Sequence, residues 1–129
     1  QRGYAVTLAE ASNEFGGRVS RESRLPGLAT WARVRDYRLS QLKEMANVET
    51  YLSSKLDAAQ VLEFGATHVA LATGSLWRSD GVGRASAHAI TGSQDTRMLT
   101  PDDIMAGQRP DGPVIVYDDD HYYMGSVLA

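Results

Sequence analysis

The chain has 129 residues, 43% hydrophobic and 22% charged, with a net charge of −3; that size allows one domain or parts of two. The acidic balance argues against general affinity for nucleic acid or anionic lipid, and no apolar run reaches the roughly 20 residues of a membrane span. The absence of cysteine excludes a disulfide, a thiolate nucleophile or a cysteine-held cluster within the chain. The widely spaced His68, His88 and His121 suggest no local metal site. No secretory leader is visible, so the cytoplasm is the expected compartment.

Gln1-Arg-Gly3 reads as the end of a helix, with Gly3 as its cap, so the chain reads as an excerpt from a longer protein. Residues 4–9, Tyr-Ala-Val-Thr-Leu-Ala, alternate around a β-branched centre and predict a strand. It ends at Glu10, a solvated carboxylate on the plain reading. The paired Gly16 and Gly17 permit positive φ and close backbone approach, although an ordinary loop would also use them. Residues 19–24 are polar and read as exposed, and Leu25-Pro-Gly27 is a turn signal. Thr30 can cap an amphipathic helix over residues 31–46. Leu28, Trp31, Ala32, Leu39, Leu42 and Ala46 lie near one face of it. Arg33, Arg35 and Arg38 make its first half basic, which most often marks a solvated face, and a left-handed Asn47 can end it.

Residues 48–52 predict a second strand, and residues 57–63 a short helix opened by Asp57. Next comes His68-Val-Ala-Leu-Ala-Thr-Gly-Ser75. Its continuous apolar run predicts a strand buried on both faces of a parallel sheet, stopped by Thr73 and Gly74, where open α/β sheets hold their ligands. Taken alone it is also a common structural pattern. Residues 79–97 show no periodicity and read as a loop. Thr100, Pro101, Asp102 and Asp103 spell a helix start that Gly107 stops. Residues 113–117 predict another buried strand, followed by Asp118-Asp-Asp120 and the first turn of a further helix at residues 125–129. A Rossmann turn places glycines at such a strand end to admit a pyrophosphate; three carboxylates would repel one. Adjacent carboxylates in a turn seldom converge on one cation, so a solvated turn is the plain reading of this triplet.

The ordered series Tyr4-Ala-Val-Thr-Leu-Ala-Glu10, Phe15-Gly-Gly-Arg18, Leu25-Pro-Gly27 and Val69-Ala-Leu-Ala-Thr-Gly74 resembles the C-terminal part of the trimethylamine dehydrogenase and dienoyl-CoA reductase flavoproteins. Leu25-Pro-Gly-Leu-Ala-Thr-Trp31, Arg35-Asp-Tyr-Arg38, Ala72-Thr-Gly-Ser-Leu-Trp77 and Leu99-Thr-Pro-Asp-Asp-Ile-Met-Ala-Gly107 are similar to the trimethylamine dehydrogenase side of that group. The likeness spans nearly the whole chain. It implies an α/β fold: part of a three-layer, Rossmann-like FAD/NAD(P)-binding domain with a parallel sheet, its first strand and glycine-rich turn missing. Residues 1–107 would be this ADP- or FAD-type domain, and residues 108–129 the start of a degenerate NAD(P)-type one.

The resemblance also implies a parent enzyme that oxidises an amine, with FMN and an iron–sulfur cluster in its N-terminal part. Electrons would pass to an electron-transferring flavoprotein, from an assembly of like chains. In that parent Glu10 would accept ribose hydroxyls of ADP or FAD, and Gly16 and Gly17 would let the chain pass the nucleotide. Arg18 would contact its phosphate side, and Thr73 and Gly74 would line the site. No catalytic or metal-ligating residue is expected. Two other readings remain: a segment of an NAD(P)H-dependent flavin oxidoreductase of the dienoyl-CoA reductase kind, and a docking domain that binds no nucleotide. The missing first strand belongs between residues 4–9 and 69–72, so those two strands should not pair directly.

Overall fold

The computed structural model describes residues 2–129. Gln1, which opens the expected helix end, lies outside them, and Gly3 takes a positive φ of 81°. The fold is a small α/β arrangement with a two-stranded parallel sheet. The chain divides into two compact units. One takes the residues up to Arg24 with Leu28–Gly74, and the other takes Leu25–Gly27 with Ser75–Ala129.

In the first unit, β1 (Val6–Ala9) pairs with β2 (Val48–Tyr51), Val6 opposite Val48 and Ala9 opposite Tyr51. Both are short runs with β-branched residues, as a pleated surface favours. The ladder outlasts the strands: Glu10 N donates to Tyr51 O at 2.9 Å, Ser54 N to Glu10 O at 2.8 Å, and Ser53 N to Ser12 O at 2.7 Å. The loop after β1 is therefore tied to the end of β2.

Between the strands lie α1 (Gly17–Glu22), a 3-10 turn (Ala29–Trp31) and α2 (Ala32–Lys43). Here the expectations need correction. Residues 19–24 are not an exposed polar stretch, because Ser20 and Glu22 are buried at 1% and 2% exposure. Thr30 lies inside the 3-10 turn and caps nothing. The helix ends at Glu44 in right-handed geometry, and Asn47 is not among the positive-φ residues. Its amide instead donates to the Tyr4 carbonyl, joining the approach to β2 to the approach to β1. The apolar face of α2 is only half-buried at Leu39, Leu42 and Met45. The helix α3 (Ala58–Glu63) follows, with Asp57 and Gln60 forming a reciprocal capping box.

The expected strand at residues 69–72 is not formed. Val69 is 54% and Leu71 83% exposed, and the sheet contains only β1 and β2. The same holds in the second unit for residues 113–117, where Ile115 is exposed. Apolar composition selects an extended run, but a strand also needs a neighbour to complete its ladder. No strand among the described residues supplies one. Because residues 69–72 form no strand among the described residues, the expected placement of two strands around a gap does not arise.

The second unit holds a 3-10 turn (Ser93–Asp95), α4 (Pro101–Met105) and α5 (Tyr123–Leu128), and α4 packs on α5. Thr100 caps α4 as expected, and Asp103 completes a capping box, with Asp103 N donating to Thr100 Oγ1 at 3.3 Å and Thr100 N to Asp103 Oδ2 at 2.8 Å. Among the described residues Met124, 5% exposed, is the one buried hydrophobic side chain. The accessible surface is 10308 Å², above the roughly 8,000 Å² that two separate compact bodies of half this mass would expose. Polar networks, more than a core, order the local structure.

Candidate functional site

Of the residues singled out in the sequence, Glu10, Gly16, Gly17 and Arg18 follow β1 directly or lie just beyond it. Glu10 follows β1 directly. Its Oε1 accepts from Ser12 N at 2.8 Å and from Ser12 Oγ at 2.9 Å, while Ser12 Oγ also reaches Glu14 O at 2.6 Å. No hydrogen bond falls on Oε2 among the described residues. The carboxylate is thus fixed through one oxygen, with the second available to accept from hydroxyl donors.

The Phe15-Gly16-Gly17 turn follows. Gly16 has φ 113° and Gly17 φ 49°, a left-handed pair that side chains other than hydrogen seldom adopt. Gly16 is also sterically committed. A Cβ there would lie 2.8 Å from Arg35 Cδ and closer still to Ser20 Oγ, whereas one at Gly17 would meet nothing within 4 Å. One glycine is needed for packing as well as conformation, and the other leaves an open backbone face. Arg24 Nη2 pairs with Glu14 Oε1 at 2.5 Å, pinning the far side of the loop. Exposed as it is, that pair is worth at most about 1 kcal/mol.

Arg18 lies one residue into α1, with Nη1 3.4 Å from Oε1 of the buried Glu22. That pairing turns the guanidinium along the helix. Thr73 and Gly74 are exposed at the end of the first unit, Gly74 with φ 74°. No hydrogen bond joins them to the Glu10 loop among the described residues. The structure thus brings Glu10, Gly16, Gly17 and Arg18 into one connected turn and leaves Thr73 and Gly74 outside that network.

Sequence reasoning missed Ser20, Arg35, Ser53 and Ser54. Ser53 and Ser54 anchor the Glu10 loop, while Ser20 Oγ donates to the Phe15 carbonyl at 2.8 Å and accepts from Arg35 Nη1 at 3.1 Å. A serine one turn after a double glycine was the available signal.

In the second unit the acidic triplet is fully engaged. His121 N donates to Asp118 Oδ1 at 3.0 Å, Ala85 N to Asp119 Oδ2 at 2.8 Å, and Arg84 Nη1 to Asp120 Oδ1 at 3.3 Å. Asp119 and Asp120 clasp the loop at residues 83–85 while Asp118 closes its own turn, and among the described residues no group of three or more acidic or histidine side chains is placed to hold a metal. Tyr117 donates to Asp119 Oδ1 at 3.3 Å. Partial burial and the Asp119 charge push its phenol above the usual value. Asp80, bonded to Arg78 and to Val82 N, is held down to about 2.

As a fit test for a nucleotide, the donor set is divided. A half-free carboxylate at a strand end suits ribose hydroxyls, and the open backbone at Gly17 suits close approach. A pyrophosphate grip is not formed by the described residues. Among the described residues no helix is long and apolar enough to cross a membrane.

No protein-family model matches the chain. It is 34% identical, over its whole length, to dimethylamine dehydrogenase from Hyphomicrobium sp. (strain x), of which it covers 19%. Histamine dehydrogenase from Rhizobium sp. 4-9 is 55% identical with a TM-score of 0.93, over 99% of this chain and 20% of that one. The 6-hydroxypseudooxynicotine amine oxidase of Pseudomonas geniculata N1 is 52% identical with a TM-score of 0.94, over 99% of this chain and 19% of that one. The chain therefore spans about a fifth of the length of these relatives. At these identities the homologues are members of the trimethylamine dehydrogenase family, and the chain is similar to about a fifth of each.

Proposed function

We propose that this chain is the nucleotide-binding-type segment of a flavin-dependent amine dehydrogenase and is itself non-catalytic. The observation that carries the proposal is the match, over 99% of this chain, to part of two amine-oxidising relatives at TM-scores of 0.93 and 0.94. In the parent enzyme, FMN and an iron–sulfur cluster elsewhere in the polypeptide would oxidise an amine and pass electrons to an electron-transferring flavoprotein. The cytoplasm and an assembly of like chains complete that reading.

Residues 1–107 then form an ADP- or FAD-type domain of Rossmann-like, three-layer construction, and residues 108–129 open a second, degenerate NAD(P)-type domain. Glu10 accepts ribose hydroxyls, Gly16 and Gly17 let the backbone pass the nucleotide, and Thr73 and Gly74 line its far wall. Arg18 serves the phosphate side only if it turns away from Glu22. The carboxylates of residues 118–120, two of them engaged by the loop at residues 83–85 and Asp118 by His121 N, favour outward electron flow over hydride uptake from NADH.

Titrating ADP, FAD and NADH into the full-length protein tests this. Tight ADP binding with no flavin reduction by NADH is expected. Retained FAD with NADH reduction would favour the dienoyl-CoA reductase type, and no response to any of the three would favour a docking domain.

A further inference from the structure

The three arginines at the start of α2 suggest a solvated face, and Arg33 and Arg38 are indeed exposed. Arg35 differs, with a side chain only 23% exposed. Its Nη1 donates to Ser20 Oγ at 3.1 Å, and that hydroxyl passes its proton on to the Phe15 carbonyl at 2.8 Å. Ser20 is 1% exposed, so water does not compete for either bond. Asp36 Oδ1 takes Arg35 Nε and Nη2, both at 2.8 Å, which orients the guanidinium. The Arg35 methylenes meanwhile fill the space beside Gly16. A continuous relay therefore runs from α2 through α1 to the carbonyl immediately before the double-glycine turn.

We propose that Arg35 is a positioning residue for nucleotide binding. Through Ser20 it holds the Phe15 carbonyl, and with it the Gly16–Gly17 turn, in the one shape that lets the backbone approach the ribose and phosphate of ADP. The need for such a lock is physical. Two adjacent glycines have the widest conformational freedom of any dipeptide, and a turn left free must be ordered at the expense of affinity. The serine hydroxyl has a single proton; once that is donated to Phe15, only a partner that always donates can complete the relay. A guanidinium is such a partner. This inference rests on the nucleotide reading above.

The test compares wild type, Arg35→Met and Arg35→Lys in the full-length protein, with ADP as the probe in calorimetry. Amide exchange over residues 14–20 is followed without nucleotide. Arg35→Met is expected to raise the Kd for ADP about tenfold, the loss of one charge-assisted hydrogen bond, and to speed exchange at the turn. Arg35→Lys, which keeps a donor, should stay within about threefold of wild type. That rescue separates the relay from mere packing. Should Arg35→Met fail to accumulate, Ser20→Ala removes the middle of the relay and is read the same way.

Wild-type affinity in Arg35→Met refutes the positioning role while leaving the nucleotide reading intact. A lysine variant as weak as the methionine one refutes the relay. If wild type itself takes no ADP, the nucleotide reading fails and the positioning role with it; faster exchange in Arg35→Met would then mark a structural tie alone.

Discussion

Gly16→Ala is the sharpest perturbation available in the turn, because Gly17→Ala next to it serves as an internal control. At Gly16 an alanine must accept φ 113°, which costs about 1–3 kcal/mol. Its Cβ also meets Arg35 Cδ at 2.8 Å and Cγ at 3.0 Å, with Ser20 Oγ nearer still; overpacking of that kind costs about 1–3 kcal/mol. Ser20 cannot retreat without releasing the Phe15 carbonyl, so relaxation removes only part of the sum, and about 3 kcal/mol is expected. At Gly17 the φ of 49° lies in the left-handed region and the space is open, leaving a backbone cost of about 1 kcal/mol. Amide exchange over residues 14–24, read as local opening free energies, should separate the two variants by about 2 kcal/mol, or roughly 30-fold in opening constant. Adding Ser20→Ala to Gly16→Ala should recover about 1 kcal/mol, the coupling expected of residues in contact. Variants that agree within about 0.5 kcal/mol, or a double variant with no recovery, would refute the steric account of Gly16.

Thr100→Ala removes the hydroxyl that receives Asp103 N and should weaken α4 by about 1 kcal/mol, read as faster exchange over residues 100–106. Asp80 should titrate near 2 by carboxyl NMR. Since its folded value is depressed from 3.8 to about 2, its bonds to Arg78 and Val82 persist above that range and are lost as pH falls through it. Asp119→Asn should lower the Tyr117 phenol part of the way to its ordinary value, because burial, the leading cause of its rise, remains; site-resolved tyrosine NMR at high pH reads this. Leu71→Asp and Ile115→Asp should each cost under about 0.5 kcal/mol in the chain alone, where both residues face solvent, and about 3 kcal/mol or more in a full-length protein that buries them. Equal effects in the two settings would refute the two-faced strand assignment.

The parts of the fold legible in the sequence are those fixed within a few residues. Asp57 and Gln60, like Thr100 and Asp103, form their capping boxes because the partners lie three residues apart. Both strands of the sheet were readable from β-branched runs at residues 4–9 and 48–52. The expected strands that failed depended on distant partners, whereas the Thr30 cap and the left-handed Asn47 failed locally. Residues 69–72 and 113–117 have the composition of buried strands, yet composition does not supply a ladder. Arg35 belongs to a basic run whose three members look equivalent; only the placement of α1 against α2 makes one of them a donor to Ser20. Glu10, Gly16 and Gly17 were proposed from the resemblance and lie in one loop after β1, but the Ser53 and Ser54 amides that anchor the loop could be found only once β2 was paired with β1.

The distribution of buried groups separates what this chain orders by itself from what it does not. The side chains best shielded from water are mostly polar, Ser20, Glu22 and Thr100 among them, and the hydrogen bonds found for them lie within their own turn or helix pair. Its longest apolar runs are exposed. The β1 turn is accordingly preformed: the Glu10 carboxylate, the double glycine and the Arg35–Ser20 relay have partners inside residues 10–54. Residues 69–72, which would carry Thr73 and Gly74 to the other side of a nucleotide cleft, lack such partners among the described residues. A near side held by hydrogen bonds and a far side awaiting a sheet make the affinity of the two halves separable. Substitutions at Glu10 should act on nucleotide binding and those at Arg35 on the local order of the turn and on binding through it, whereas substitutions at residues 69–72 should act on folding of the parent enzyme first and on binding only through it.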